Sequence, residues 1–358
     1  FRTMLSTYKC GATVHYLLVV LGQDVELFGE ARRGERTESI SANESPSDEA
    51  YRRNVGSSSL PTNEQPYIHG DMLQLLDPRQ DIYDYFTQKC AEYENIIEIG
   101  PGGIDRRFPP ATHVVDHMTN YFDTIPNVTS YNVDLDYATV PVSSISNDGP
   151  KSTSNMATGK QQYLHHHPEQ SHHKPFEFLY ARHFLEDIHN PAGAFREMVR
   201  LSSRGYIETP SPMIECLPIG RPDQRLGLPM RGYVHHRWLL YTNWTTNTLY
   251  AIPKMPILEY IHFGYDMQQK WVDVITEHVA FANNYYYWDV NDPRKQPKLV
   301  VVKHEVDFQL SSPSSYRTVI LSSIGASVNN SLEFFNEHIN PFIQLQHAHT
   351  EQQQQPPQ

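Results

Sequence analysis

Chemistry is most legible where an apolar run meets a glycine turn, in Asn95-Ile96-Ile97-Glu98-Ile99-Gly100-Pro101-Gly102-Gly103. Gly100 and Gly102 permit backbone conformations closed to other residues and let a ligand come close to the main chain. Glu98 stands at the end of the apolar strand, just before the turn. A dinucleotide site wants a third glycine or an alanine, as in G-x-G-x-x-G. Counted from Gly100, that position holds Asp105. A pyrophosphate gains nothing from the Glu98 carboxylate beside it, whereas a cationic group with a free amine does.

Two further acids follow at strand ends. Thr112 to Val115 reads as a short strand closed by Asp116, eighteen positions after Glu98. An acid there can accept hydrogen bonds from both hydroxyls of a ribose. Tyr131-Asn132-Val133-Asp134 reads as a third strand ending in an acid that can meet an adenine amino group. Each feature has an ordinary structural reading: a packing glycine turn, a helix-capping Asp116, a loop acid at Asp134. Their order and spacing point instead to S-adenosyl-L-methionine (SAM), a sulfonium nucleoside with a free amine. Glu98 and Asp105 disfavour a nicotinamide dinucleotide and a dehydrogenase.

The elements that must position these residues alternate. The run from Asp77-Pro78 to Tyr93 places Ile82, Tyr85, Phe86, Cys90 and Tyr93 at helical spacing. The strand from Asn95 follows. Phe176 to Ala181 is a further apolar strand. Asn190-Pro191 opens a helix with Asn at the N-cap and Pro in the first turn, and Tyr206 to Thr209 is the next strand. Such alternation predicts an α/β fold with a doubly wound, mostly parallel sheet. Tyr285 to Val290 and Lys298 to Leu310, around an Asn-Asp-Pro turn, are expected to close it as an antiparallel pair.

Around this middle the chain reads as an N-terminal segment (1–29), a disordered linker (30–66), a main domain (67–325) and a C-terminal tail (326–358) disordered at its end. A polar insertion (143–174) and a substrate-side addition (213–284) interrupt the main domain. The apolar run Ala12 to Gly22 is too short to span a bilayer, which takes roughly 20 residues. It reads as a short buried strand or helix ahead of a signal-like segment, so a cytoplasmic location is expected and secretion is the lesser alternative. Three widely spaced cysteines form neither a disulfide framework nor a zinc pattern. The net charge of -12 argues against a broad grip on nucleic acid.

Taken together, Glu98-Ile99-Gly100-Pro101-Gly102-Gly103 resembles the first SAM-binding motif of class I methyltransferases, and Val114-Val115-Asp116 resembles its second, acidic motif. Phe176 to Ile188 is similar to the fourth-strand signature of methyltransferase type 11, a Phe-Asp strand followed by His-x-x-Glu-His. Asn190-Pro191, Arg196-Glu197, Arg200 and Gly205 to Ser211 match the helix and fifth strand of that group. These motifs cover roughly a third of the chain. The resemblance implies a Rossmann-like, seven-stranded sheet with SAM over the carboxyl ends of its first strands. Glu98, Gly100 and Gly102 would line the methionine part, Asp116 would hold the ribose, Asp134 would face the adenine, and His183 would sit on the cofactor's far side. Asp187 departs from the second His of the signature, and Ile104-Asp105-Arg106-Arg107 departs from the glycine spacing.

Methyl transfer from a sulfonium asks the protein mainly for alignment and exclusion of water. A general base helps a hydroxyl or a protonated nitrogen, and the catalytic candidates are His183, Glu186 and His235, with Asp187 and His236 beside them. The Asn/Asp-Pro-Pro-Tyr and Pro-Cys patterns of base-modifying enzymes are missing after the fourth strand, so the expected acceptor is a small molecule or glycan-like metabolite. Arg231 to Trp238 gathers basic and aromatic groups that suit such an acceptor or, equally, an amphipathic strand with Trp238 in the core. The runs His165 to His167 and His172-His173 read as solvated loop, and no metal-ligand set is expected. A catalytically silent SAM-fold scaffold is the alternative function. The oligomeric state is open.

Overall fold

The computed structural model describes residues 68–69, 79–102, 106–116, 122, 125–136, 140, 174–220, 230–302 and 313–353. The expectations for residues 1–66 and for most of the insertion at 143–174 lie outside the described residues.

In chain order the elements are β1 (Ile68–His69), α1 (Arg79–Lys89), β2 (Ile96–Ile99), β3 (His113–Asp116), β4 (Thr129–Asn132), β5 (Phe178–Arg182), α2 (Pro191–Leu201) and β6 (Arg204–Pro210). Then come α3 (Pro212–Cys216), β7 (Pro218–Gly220), β8 (Met230–Arg231), β9 (Trp238–Asn243), β10 (Thr248–Pro253), α4 (Tyr265–Glu277), β11 (Asn283–Asp289), β12 (Leu299–Val301), α5 (Pro313–Phe334) and α6 (Asn340–Gln353).

The main sheet has six strands in the order β11-β6-β5-β2-β3-β4, among the described residues, where seven were expected. Five are parallel, and β11 runs antiparallel to β6, with Tyr286 opposite Ile207. The closing antiparallel pair is therefore β11 with β6. Of the stretch after the Asn-Asp-Pro turn, residues 303–310 lie outside the described residues; its β12 joins β10, parallel, in a second sheet ordered β12-β10-β9. Side-chain demand explains the choice. Tyr285 to Trp288 are all buried, which suits a strand covered on both faces, whereas Leu299 to Val301 are half-buried.

Alternation along the central strands supplies two cores, one per face. Ile97, Ile99, Leu179, Ala181, Ile207, Tyr286 and Trp288 pack with Ala194, Phe195, Met198 and Leu201 of α2. Ile96, Phe178, Tyr180, Tyr206, Tyr285 and Tyr287 pack on the other side with Ile82 and Phe86 of α1 and with Phe334 and Ile339. The expected N-cap of α2 is present: Asn190 Oδ1 accepts the Gly193 N–H at 3.0 Å.

Two boundaries move. The substrate-side addition holds α3, β7 to β10 and α4, but its last residues, Asn283 and Asn284, already belong to β11 and pair with Pro210 and Thr209. The expected tail is helical from 326 through Gln353, interrupted by a π-turn at Phe335–Ile339, and Phe334 and Ile339 are fully buried. Pattern reading misses this because polar residues such as Ser327, Asn330 and Ser331 are themselves buried in α5. Asn330 and Ser331 bond the β11 backbone: Tyr285 N–H donates to Asn330 Oδ1 at 3.0 Å, and Ser331 Oγ–H donates to the Asn283 carbonyl at 3.0 Å. No helix among the described residues is long and apolar enough to cross a membrane.

Candidate active site

Strand order reverses beside β2: the chain runs from β2 to β3 and β4 on one side, then returns to place β5 on the other. In open α/β sheets that reversal leaves a crevice at the carboxyl ends of the two strands, where ligands bind. Here those ends carry Glu98 and Gly100 on one side and Arg182, His183 and Phe184 on the other.

Gly100 and Gly102 both adopt positive φ, 65° and 69°, as the glycine turn demands. The two differ in surroundings. A Cβ at 100 would collide with the Phe184 ring, whereas a Cβ at 102 meets nothing described within 4 Å. So Gly100 admits Phe184 against the turn, and no described atom stands over Gly102. The turn is tied to the neighbouring strand by Gly100 N–H donating to the Val115 carbonyl at 2.9 Å.

Glu98 is buried on the aromatic face of the sheet, and its Oε2 accepts the Phe108 N–H at 2.8 Å. Burial pushes its carboxyl up to about 8, against the opposing pull of that N–H and of Arg107 and Arg182. Asp116 is buried at the end of β3 beside it. Asp134 lies beyond the strand. β4 ends two residues earlier, at Asn132, which pairs with Asp116, and Asp134 is exposed with its Oδ1 turned back to the Asp136 N–H at 3.0 Å. The expectation that Asp134 closes a third strand is corrected: Asx-turn chemistry at that position outcompetes strand pairing.

Beyond β5, His183 sits at φ 48°, a conformation costly for a non-glycine residue. Its N–H donates to the Glu208 carbonyl at 2.9 Å, and its side chain, 37% exposed, lies 3.3 Å from Glu186 Oε1 and 3.6 Å from Glu208 Oε1. Glu208 is buried on β6 and holds Arg182 Nε at 2.8 Å, Asn283 Nδ2 at 2.9 Å and the Tyr206 hydroxyl at 2.7 Å. Burial alone would raise its carboxyl, but Arg182 and His183 more than offset that and keep it low.

The addition brings in a second buried carboxylate. Glu215 of α3 accepts His236 Nδ1–H at 2.8 Å and Lys254 Nζ at 2.5 Å. These partners outweigh burial and hold it low, while Glu215 in turn holds His236 up despite burial. Glu186 and Asp187 face the same His236, at 4.0 and 3.9 Å from its Nε2, and His235 lies 4.0 Å from Asp187. Of the expected catalytic residues, His183, Glu186 and His235 thus gather on one side of the β5 end. Arg182, Glu208, Glu215 and Lys254 were not singled out, because each becomes notable only once distant segments meet.

The basic-aromatic run is mostly structural. Arg231 donates to the Cys216 and Ile261 carbonyls at 2.7 and 2.8 Å, and Trp238 Nε1–H donates to the Ile188 carbonyl at 2.6 Å. That favours the packing reading over an anion-binding patch.

No family model matches the sequence, and no curated protein matches it. Solved structures similar to this chain include a SAM-dependent methyltransferase from Mesorhizobium loti (15% identity, TM-score 0.24, covering 40% of this chain and 61% of that one). Another is the N-terminal domain of EvdMO1 with SAH bound (13% identity, TM-score 0.24, covering 38% and 52%). A third is an O-methyltransferase from a trans-AT PKS multienzyme of Brevibacillus brevis with S-adenosyl-L-homocysteine (9% identity, TM-score 0.24, covering 75% and 94%). The match spans less than two thirds of the first two chains. At such identities and scores, function has to be read from this chain's own residues.

Proposed function

We propose that this chain is a SAM-dependent methyltransferase of class I, similar to methyltransferase type 11, acting on a small-molecule or glycan-like acceptor. The observation that carries the reading is the pairing of two buried carboxylates, Glu98 and Asp116, on adjacent strands beside a turn with two positive-φ glycines. A buried carboxyl pushed up to about 8 is stabilised by a cation, which suits an amine or sulfonium better than a pyrophosphate. Gly102, with no described atom over its Cβ position, and the Asp116 carboxylate suit close approach of the chain and ribose of such a cofactor. Asp134, two residues beyond β4, would face the adenine from the loop, with Asn132 level with Asp116 at the strand edge.

Bound there, SAM would supply an activated methyl group: a lone pair of the acceptor would form the new bond to the methyl carbon as the carbon–sulfur pair left with sulfur, and the acceptor would give up its proton. The chain's own part is alignment and proton handling. His183, held at the end of β5 between Glu186 and Glu208 and 37% exposed, would be the group to take that proton.

Calorimetry with SAM and with NAD tests the reading. SAM binding is expected, weakened tenfold or more by Asp116→Ala, with no binding of NAD. Unchanged affinity in that variant would remove Asp116 from the site and the reading with it. Labelled methyl transfer into a cell extract then separates a catalyst from a silent scaffold, and His183→Ala is expected to lower turnover at least tenfold with SAM affinity little changed.

A further inference from the structure

We propose that Asp187, His235 and His236, with Glu186 as a fourth donor, form a binding site for one divalent first-row transition ion.

The donor atoms converge. One atom each from Asp187, His235 and His236 lie within 4.8 Å of one another. Asp187 Oδ1 is 3.9 Å from His236 Nε2 and 4.0 Å from His235 Nε2, and Glu186 Oε1 is 4.0 Å from the same His236 nitrogen. Metal bonds of about 2.0–2.2 Å set neighbouring ligand atoms roughly 3–3.5 Å apart. Small side-chain rotations close that difference.

The outer partners are those of a metal-bound imidazole. His236 Nδ1 is committed to Glu215 Oε1 at 2.8 Å, which leaves Nε2 facing the cluster. Glu215 is itself fixed by Lys254 Nζ at 2.5 Å and by the Tyr233 N–H at 3.4 Å. Gly232, at φ 58°, is a further part of the support, because a Cβ there would collide with the Glu215 carboxylate. A carboxylate that fixes the tautomer and aim of a ligating histidine is the usual second layer of such sites.

The carboxylates supply an independent pointer. Glu186 is 1% exposed, with Oε1 3.3 Å from His183 Nδ1 and Oε2 without a hydrogen-bond donor from another described residue; the buried Asp187 Oδ1 likewise has no hydrogen-bond partner among the described residues. Buried carboxylate oxygens ordinarily have donors, and leaving them without is expensive. A dication satisfies them together. Two imidazoles with carboxylates suit zinc and its first-row neighbours, and not calcium or magnesium, which take oxygen ligands.

Glu186 and Asp187 follow His183 and Phe184 after a single residue, Leu185, so the ion would lie beside the carboxyl end of β5. Resting on the methyl-transfer reading for this clause alone, it would there hold an oxygen of the acceptor.

The test uses the full chain stripped with a chelator and titrated with Co2+ alone, read by visible absorption, with Zn2+ as competitor. One equivalent is expected to bind, displaceable by Zn2+. His235→Ala, at a position 60% exposed, and Asp187→Asn should each weaken binding at least tenfold. Replacing His165, His166, His167, His172 and His173 together by alanine should leave it unchanged. No saturable binding would overturn the site, as would binding that survives His235→Ala and disappears with the histidine run. Cobalt binding is read without SAM, and SAM binding is read with chelator present, so either proposal can fail while the other stands.

Discussion

Burial holds a proton on Glu98 that the unfolded chain would give up, and this has a sign. With the folded-state value near 8 and an unfolded value near that of a free glutamate, the native state binds the extra proton between those limits, so stability falls as pH rises through the interval. Glu98→Gln should therefore match the parent at pH 5 and exceed its stability at pH 9 by roughly 1–3 kcal/mol. Denaturant melts at the two pH values measure it, and a gap that does not change with pH would refute the environment assigned to this carboxyl. The cofactor reading adds a second consequence. If a cation binds the ionised form, affinity should climb with pH up to about 8 in the parent, and the difference between parent and Glu98→Gln should flatten above that value. The importance of Glu98 is legible in the sequence, since a strand-end acid before a glycine turn is local information. That of Glu208 or Glu215 is not, because their partners lie on other segments: Asn283 for one, His236 and Lys254 for the other.

Among the elements, β6 shows how a single residue fixes packing. Gly205 lies beneath Trp288 of β11, whose ring occupies the volume a Cβ would need. Gly205→Ala is expected to cost about 1–3 kcal/mol through overpacking, visible as a lowered thermal midpoint; an unchanged midpoint would mean the indole shifts freely. α2 ends at Leu201, with Ser202 as its cap, and Gly205 is inside the strand that follows. The parallel strands and α2 were readable because their signals are local: apolar runs, Asn190 at a cap, Pro191 after it. β12 was misplaced because strand propensity names no partner, and the choice between β11 and β10 is made by which faces are covered. Asp134 was misplaced for the opposite reason, a local turn preference overriding an apparent strand.

The whole molecule is closed by its C-terminal helices. Phe334 stacks on Tyr285 with centroids 4.8 Å apart and packs on Tyr206, and with Ile339 it fills the aromatic core beneath β5, β6 and β11. Phe334→Ala should cost about 3–5 kcal/mol, enough to move the denaturation midpoint far more than a surface change; a loss below 1 kcal/mol would show these helices to be dispensable. Their burial was not readable from the sequence, because serines and asparagines that bond the β11 backbone break the apolar period. The late arrival of β11 also bears on how the chain is made. β6 is complete by Pro210, but its outer edge is covered only by residues 283–289. On a translating ribosome the amide row of β6 therefore waits, unzipped, through the synthesis of the whole intervening segment, and for that interval the nascent chain offers strangers the same edge that β11 later claims.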